Sequence, residues 1–254
     1  MYIFLNKFNY KYRFSLYYIT ITCKKCDLRK EVNLFSPKLV KRRKNLLDFI
    51  SAPIKPKKPK DFLKIAFIGS HGVGKTTLCS SVHARLKQKN IASFMIDEIA
   101  SDLPKGFEVN EKTDFESQFF ILLKQMEREL ISTRKHYRVL CCDRSVLDSL
   151  AYSHNAMITL KKIKSHEIYF MENFVKYWVK TYDYLFLLEP FGDKIEDDNY
   201  RSTDIEFRDK IHEIILFYVE KMKLKRKVYG ISGDIEERTQ KVMDILEEDL
   251  WGPK

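Results

Sequence analysis

The stretch Lys64-Ile65-Ala66-Phe67-Ile68 runs directly into Gly69-Ser70-His71-Gly72-Val73-Gly74-Lys75-Thr76-Thr77, a strand-like apolar run followed by G-x-x-x-x-G-K-T. That junction is the setting of a phosphate-cradling loop. Its glycines let successive backbone N–H groups turn inward on an anion, Lys75 neutralises the outer phosphate oxygens, and the Thr76 hydroxyl is placed to ligate Mg²⁺. Leu78, Val82 and Leu86 then recur at helical spacing, so a helix begins with its positive end at the same point. Residues 69–77 are therefore the nucleotide-binding candidates, with ATP and Mg²⁺ as the implied cofactors.

Charge divides the chain into two parts. Residues 1–60 hold 16 Lys/Arg against 3 Asp/Glu, a net of +13, whereas 61–254 carry a net of −2. A basic arm and Pro/Lys linker, partly disordered, over 1–60 and one catalytic domain over 61–254 are expected, the latter long enough to bury a full α/β core. Nucleic acid or another polyanion is a conceivable partner for the arm only, through Lys41–Lys44 and Lys55–Lys60. Within the arm, 12–22 and 32–35 are candidate hairpin strands, and Cys23 and Cys26 form a C-x-x-C without the second ligand pair of a zinc knuckle.

Cys79, Cys141 and Cys142 suggest no disulfide framework, which fits a reducing, cytoplasmic setting, with nuclear or organellar targeting by the arm left open. No apolar run approaches the ~18 residues of a membrane span. The acid-free first 26 residues lack the cleavage pattern of a signal peptide.

From Lys64 onward, apolar runs at 64–68, 91–96, 138–142, 183–188 and 227–231 alternate with helical patterns at 76–89, 114–136, 146–180 in two pieces, 204–224 and 234–250. Such alternation predicts a doubly wound parallel five-stranded sheet with its ligands at the strands' carboxyl ends. Acids just after strands then become candidates, namely Asp97-Glu98 and Asp143-Arg144. Asp143 suits Mg²⁺, Glu98 suits the proton of an acceptor hydroxyl, and Arg144 suits charge on a moving phosphoryl group. A mechanical ATPase would show Asp-Glu where this chain has Asp143-Arg144. A GTPase would show N-K-x-D, which is absent.

Cys142-Asp143-Arg144-Ser145-Val146-Leu147-Asp148-Ser149-Leu150-Ala151-Tyr152 resembles a segment of the NadR-like P-loop kinases, ribosylnicotinamide-kinase-like AAA domain proteins, and is similar to the E/D-R-S of deoxynucleoside kinases. Tyr182–Pro190, Asp197–Ser202 and Glu206-Phe207-Arg208 resemble that group's fourth strand, lid and following helix. The resemblance implies strand order 2-3-1-4-5. It implies a lid in which Arg201 and Arg208 clamp phosphates, and it implies Glu98 near the acceptor hydroxyl. Members often carry an Arg a few residues after this Glu, where this chain reads Glu98-Ile99-Ala100-Ser101-Asp102.

Helix 114–136 is expected to wall the acceptor pocket, with Gln118 reading a base and Phe119 or Phe120 stacking on it. Gly230–Asp234, Gly233 included, is expected near adenine, and the histidines are expected to be incidental. The implied activity is transfer of the ATP γ-phosphoryl group to a nucleoside- or nucleotide-like hydroxyl. The alternative is an ATP-binding regulator or ATPase of the same fold whose arm binds a partner.

Overall fold

The computed structural model describes residues 2–9, 15–23, 28–33, 61–109, 112–190 and 205–252. Two compact units divide the chain, Met1–Ala52 and Pro53–Lys254. In the first, β1 (Tyr2–Asn9), β2 (Ser15–Cys23) and β3 (Leu28–Asn33) form an antiparallel sheet in that order. The partner of β2 thus starts earlier than the expected 32–35, with Leu28 opposite Cys23. Tyr2–Asn9 lacks a clean apolar/polar alternation, so β1 gives no period-2 signal. The basic clusters 41–44 and 55–60 and Cys26 lie outside the described residues.

The second unit opens with β4 (Leu63–Ile68), α1 (Lys75–Gln88), β5 (Ser93–Ile96) and a 3₁₀ turn (Ile99–Asp102). It continues with α2 (Phe115–Ser132), β6 (Val139–Asp143) and α3 (Val146–Asn155), which runs into one π turn (Ala156–Leu160). Then come α4 (Ser165–Trp178), β7 (Tyr184–Leu188), α5 (Ile205–Lys221), β8 (Val228–Ile231) and α6 (Ile235–Trp251). The strands are all parallel and lie in the order β5-β6-β4-β7-β8, which is 2-3-1-4-5 counted within this unit.

Every residue of β4, β6 and β7 is buried, as near-continuous apolar runs require when helices cover both faces. Strand alternation sorts the core into two layers. Ala66, Ile68, Leu140, Cys142, Leu185 and Leu187 face α2 to α5. Ile65, Phe67, Cys141 and Phe186 face α1 and α6.

Helix ends follow local chemistry. Asp114 caps α2 by accepting from the Ser117 N–H at 2.9 Å. That helix stops at Ser132 rather than 136, where the Thr133 hydroxyl donates back to the Leu130 carbonyl at 2.8 Å and the apolar periodicity ends. Among the described residues no helix is long and apolar enough to cross a membrane.

Below the sheet's carboxyl end sits a buried charge cluster. Glu129 accepts from Lys64 Nζ (2.8 Å), Trp178 Nε1 (2.6 Å), Gln125 Nε2 (2.8 Å) and the Tyr182 hydroxyl (2.5 Å). Four donors satisfy a carboxylate with no exposure at all, which is what makes its burial tolerable.

Candidate functional site

Because β4 is central, the loop after it lies at the middle of the sheet's carboxyl edge. Gly69 opens that loop at φ +149, and a Cβ there would lie 2.9 Å from the Leu188 carbonyl oxygen and 3.2 Å from Val73 Cγ2. The end of β7 therefore presses on the loop's first residue, and only glycine fits. Gly74 enters α1 at φ 85 with no side-chain cap, so the N–H groups of the first turn remain for an anion. Gly72 and Thr77 are exposed, whereas Ser70, His71, Val73 and Lys75 are buried.

Lys75 Nζ donates to the Ser70 carbonyl at 2.5 Å. Burial, reinforced by the Arg144 charge, lowers its pKa to about 7. Burial of this lysine thus weakens the very charge that a polyphosphate would restore.

Asp143 is the last residue of β6, paired with Phe67 of β4 and fully buried. Neither of its carboxylate oxygens makes a well-formed hydrogen bond. Burial raises its pKa, while the neighbouring Thr76 hydroxyl, then Arg144 and Lys75, pull it down. A hydroxyl and an unsatisfied carboxylate beside a phosphate loop are hard oxygen donors of the kind Mg²⁺ takes when it keeps several waters and binds substrate phosphates. The described residues hold no group of three or more His, Cys, Asp or Glu able to cage a metal by themselves. Thr76 and Asp143 fit the implied ion on those terms.

Arg144 stands at φ 84, held by donation of its N–H to the Phe67 carbonyl at 3.1 Å. Its guanidinium meets Glu98 Oε1 at 2.6 Å from Nε and 2.5 Å from Nη2, and lies over the Tyr152 ring at 5.5 Å. Glu98 and Arg144 come together because β5 and β6 are neighbours. The Tyr152 hydroxyl lies 3.5 Å from His71 Nδ1, and the His71 ring is 5.2 Å from Phe207. His71 is thus a packed part of the phosphate loop.

Two further residues were not singled out by sequence reasoning. Asp148 accepts from Gly69 N at 3.2 Å, Ser145 N at 2.8 Å and Ser145 Oγ at 3.0 Å. It completes a capping box on α3 and ties that helix to the phosphate loop. The S-x-x-D spacing of Ser145 and Asp148 is the signal that could have revealed it. Arg238 of α6 donates to the Val73 carbonyl at 2.9 Å and the Gly233 carbonyl at 2.6 Å. No local pattern announces a contact across 165 positions.

Gly233 sits after β8 at φ +111, where a Cβ would collide with the Glu237 carboxylate. Arg208 is buried on α5 with Asp209 Oδ1 at 3.2 Å. Arg201 falls outside the described residues. Gln118 is buried and donates its amide to Thr113 Oγ1 at 2.9 Å. Phe119 packs among Phe115, Phe170 and Phe174, and Phe120 packs against Phe107. These aromatic contacts belong to the packing of α2, and both rings are half-buried.

A family model described as "AAA domain" matches residues 64–238. No curated protein matches the sequence. Among solved structures, the chain is similar to the NadR protein in complex with NR (TM-score 0.58, 17% identity, 76% of this chain and 53% of that one). It is also similar to the deoxyadenosine kinase from M. mycoides with products dCMP and a flexible dCDP bound (TM-score 0.57, 16% identity, 73% of this chain and 100% of that one). The chain therefore spans about half the length of the NadR chain. At these identities the likeness is one of fold, that of a P-loop kinase-like domain.

Proposed function

We propose, from the premise that this chain belongs to the AAA domain family, that it is an ATP-dependent phosphotransferase acting on a nucleoside- or nucleotide-like hydroxyl. The observation that carries this reading is the Glu98–Arg144 pair beside the phosphate loop. Its carboxylate and guanidinium are 2.5 Å apart, only 17% and 15% exposed, and the charges of both act on Lys75 of that loop. A mechanical ATPase of this fold would carry a Glu directly after the Mg²⁺-binding Asp to polarise water. Here Arg144 takes that place.

In this mechanism the loop N–H groups and Lys75 hold the triphosphate, and phosphate binding returns Lys75 to its charged form. Thr76 and Asp143 would hold Mg²⁺, which when bound neutralises charge developing on the β- and γ-phosphate oxygens. Glu98 accepts the proton of the acceptor hydroxyl, and Arg144, already fixed by Glu98, supplies positive charge to the phosphoryl group in flight. Arg208, and Arg201 outside the described residues, are the cations this reading assigns to the phosphates. The kinase fold shared with the two structural neighbours supports a nucleoside-like acceptor.

The test is ADP formation by the full chain over nucleosides, nicotinamide riboside and mononucleotides, with Lys75→Ala as control. Stimulation by at least one acceptor, lost in the variant, is the predicted result. ATP binding with no stimulation by any acceptor would contradict transfer and favour the regulatory reading.

A further inference from the structure

Arg238 is nine-tenths buried and makes no ion pair with any carboxylate among the described residues. A guanidinium taken out of water without a counter-charge is unfavourable unless its donors are satisfied otherwise. Here two backbone carbonyls from different parts of the sheet's carboxyl edge serve. Nη1 donates to Val73 in the phosphate loop, and Nε donates to Gly233 in the loop after β8. The same Nη1 is 3.6 Å from where a Gly74 Cβ would stand, so the group lies directly against the loop's last glycine. The planar fork of Arg can span two carbonyls at fixed separation, which a Lys ammonium on a flexible stem cannot reproduce.

The rest of α6 docks on α1 through ordinary contacts. Thr239 Oγ1 donates to Ser81 Oγ at 2.9 Å, and Arg85 meets Glu236 at 2.5 Å. Those contacts join helix to helix. Arg238 alone among them joins loop to loop.

We propose that Arg238 is a nucleotide-positioning residue that locks the phosphate loop and the β8–α6 loop into one unit, so that a nucleoside triphosphate is gripped at its phosphates and its base together. The inference rests on the reading of this edge as an ATP site, with glutamate and arginine on the β5–β6 side receiving the acceptor and the β7–β8 side receiving the donor's base. Preorganising two halves of a site improves binding of a ligand that touches both and leaves a ligand that touches one half nearly unaffected.

The experiment titrates the full chain calorimetrically with ATP and with inorganic tripolyphosphate, which carries the phosphates without a base. Arg238→Gln and Arg238→Lys should each weaken ATP about tenfold, and tripolyphosphate by less than about threefold. Retention of charge in the Lys variant should not rescue ATP. Thr239→Val, which breaks a helix-to-helix contact only, should lower the melting temperature and leave the ATP-to-tripolyphosphate ratio unchanged. Equal losses for both ligands, rescue by Lys, or undiminished ATP affinity would overturn the inference alone. Failure of the unaltered protein to bind ATP would overturn the functional reading and this inference with it.

Discussion

Asp148→Ala offers the sharpest test of how the phosphate loop is held. Two buried backbone donors, Gly69 N and Ser145 N, lose their acceptor at once, and the Ser145 hydroxyl loses a third contact. Each buried N–H left unsatisfied costs about 1–3 kcal/mol, whereas the hydroxyl can rotate to another partner. Two donors at the middle of that range give about 4 kcal/mol. The 3.2 Å Gly69 contact sits at the weak end, and removing a buried carboxylate relieves its own desolvation, which already raises the Asp148 pKa. A net loss of about 3 kcal/mol is the expectation. For a domain of this size it corresponds to a melting-temperature drop of about 6–12 °C.

Asp148 is also one of the groups that hold the Lys75 pKa up, so its removal should weaken ATP binding beyond the stability change. Asp148→Asn should fall between, since one oxygen can still accept from Ser145 while the amide nitrogen opposes the Gly69 N–H. Urea unfolding and ATP titration of the three proteins measure these effects. A loss under about 1 kcal/mol with ordinary ATP affinity would show that α3 does not hold the loop and would refute the reasoning.

Three further outcomes follow from the same structure. With Lys75 lowered to a pKa of about 7 by its burial in the loop, ATP binding above pH 7 must take up a proton, and affinity should fall by up to tenfold per unit as pH rises. Calorimetry at pH 8 in buffers of different ionisation enthalpy should show uptake close to one proton, and none would contradict the shift. In the folded, unliganded protein this lysine binds fewer protons than in the unfolded chain, where it titrates near 10.5, so its linkage makes stability rise with pH between those values. Glu129→Ala strands the buried Lys64 ammonium and should cost about 3–5 kcal/mol by urea unfolding; adding Lys64→Met should recover at least about 1 kcal/mol. Glu98→Gln should lower kcat by about 10²-fold or more with ATP affinity within about threefold, whereas unchanged kcat would remove Glu98 from the chemistry.

The sheet was legible because its central strands are buried on both faces and therefore write themselves as unbroken apolar runs. The phosphate loop was legible because its chemistry demands fixed residue types at fixed spacing. Asp143 followed from its place at a strand end. Glu98 and Arg144 were each named from the same rule, but their ion pair spans 46 positions and exists only because β5 and β6 are adjacent. Asp148 left a local trace in its capping box, yet its bond to Gly69 depends on where α3 lies.

Arg238 left none, since both of its acceptors are main-chain carbonyls whose residue types carry no signature. Gln118 shows another limit of the sequence. Its place on α2 was legible, but not that it is buried with one of its amide donors on Thr113.

The central claim is transfer to an acceptor rather than to water. It is tested most directly by following the labelled γ-phosphate of ATP through one turnover of the full chain with an acceptor from the nucleoside, nicotinamide riboside and mononucleotide panel. Label recovered on the acceptor hydroxyl, with little inorganic phosphate and neither product from Lys75→Ala, is the predicted result. Label recovered only as inorganic phosphate, at a rate no acceptor changes, would contradict the account.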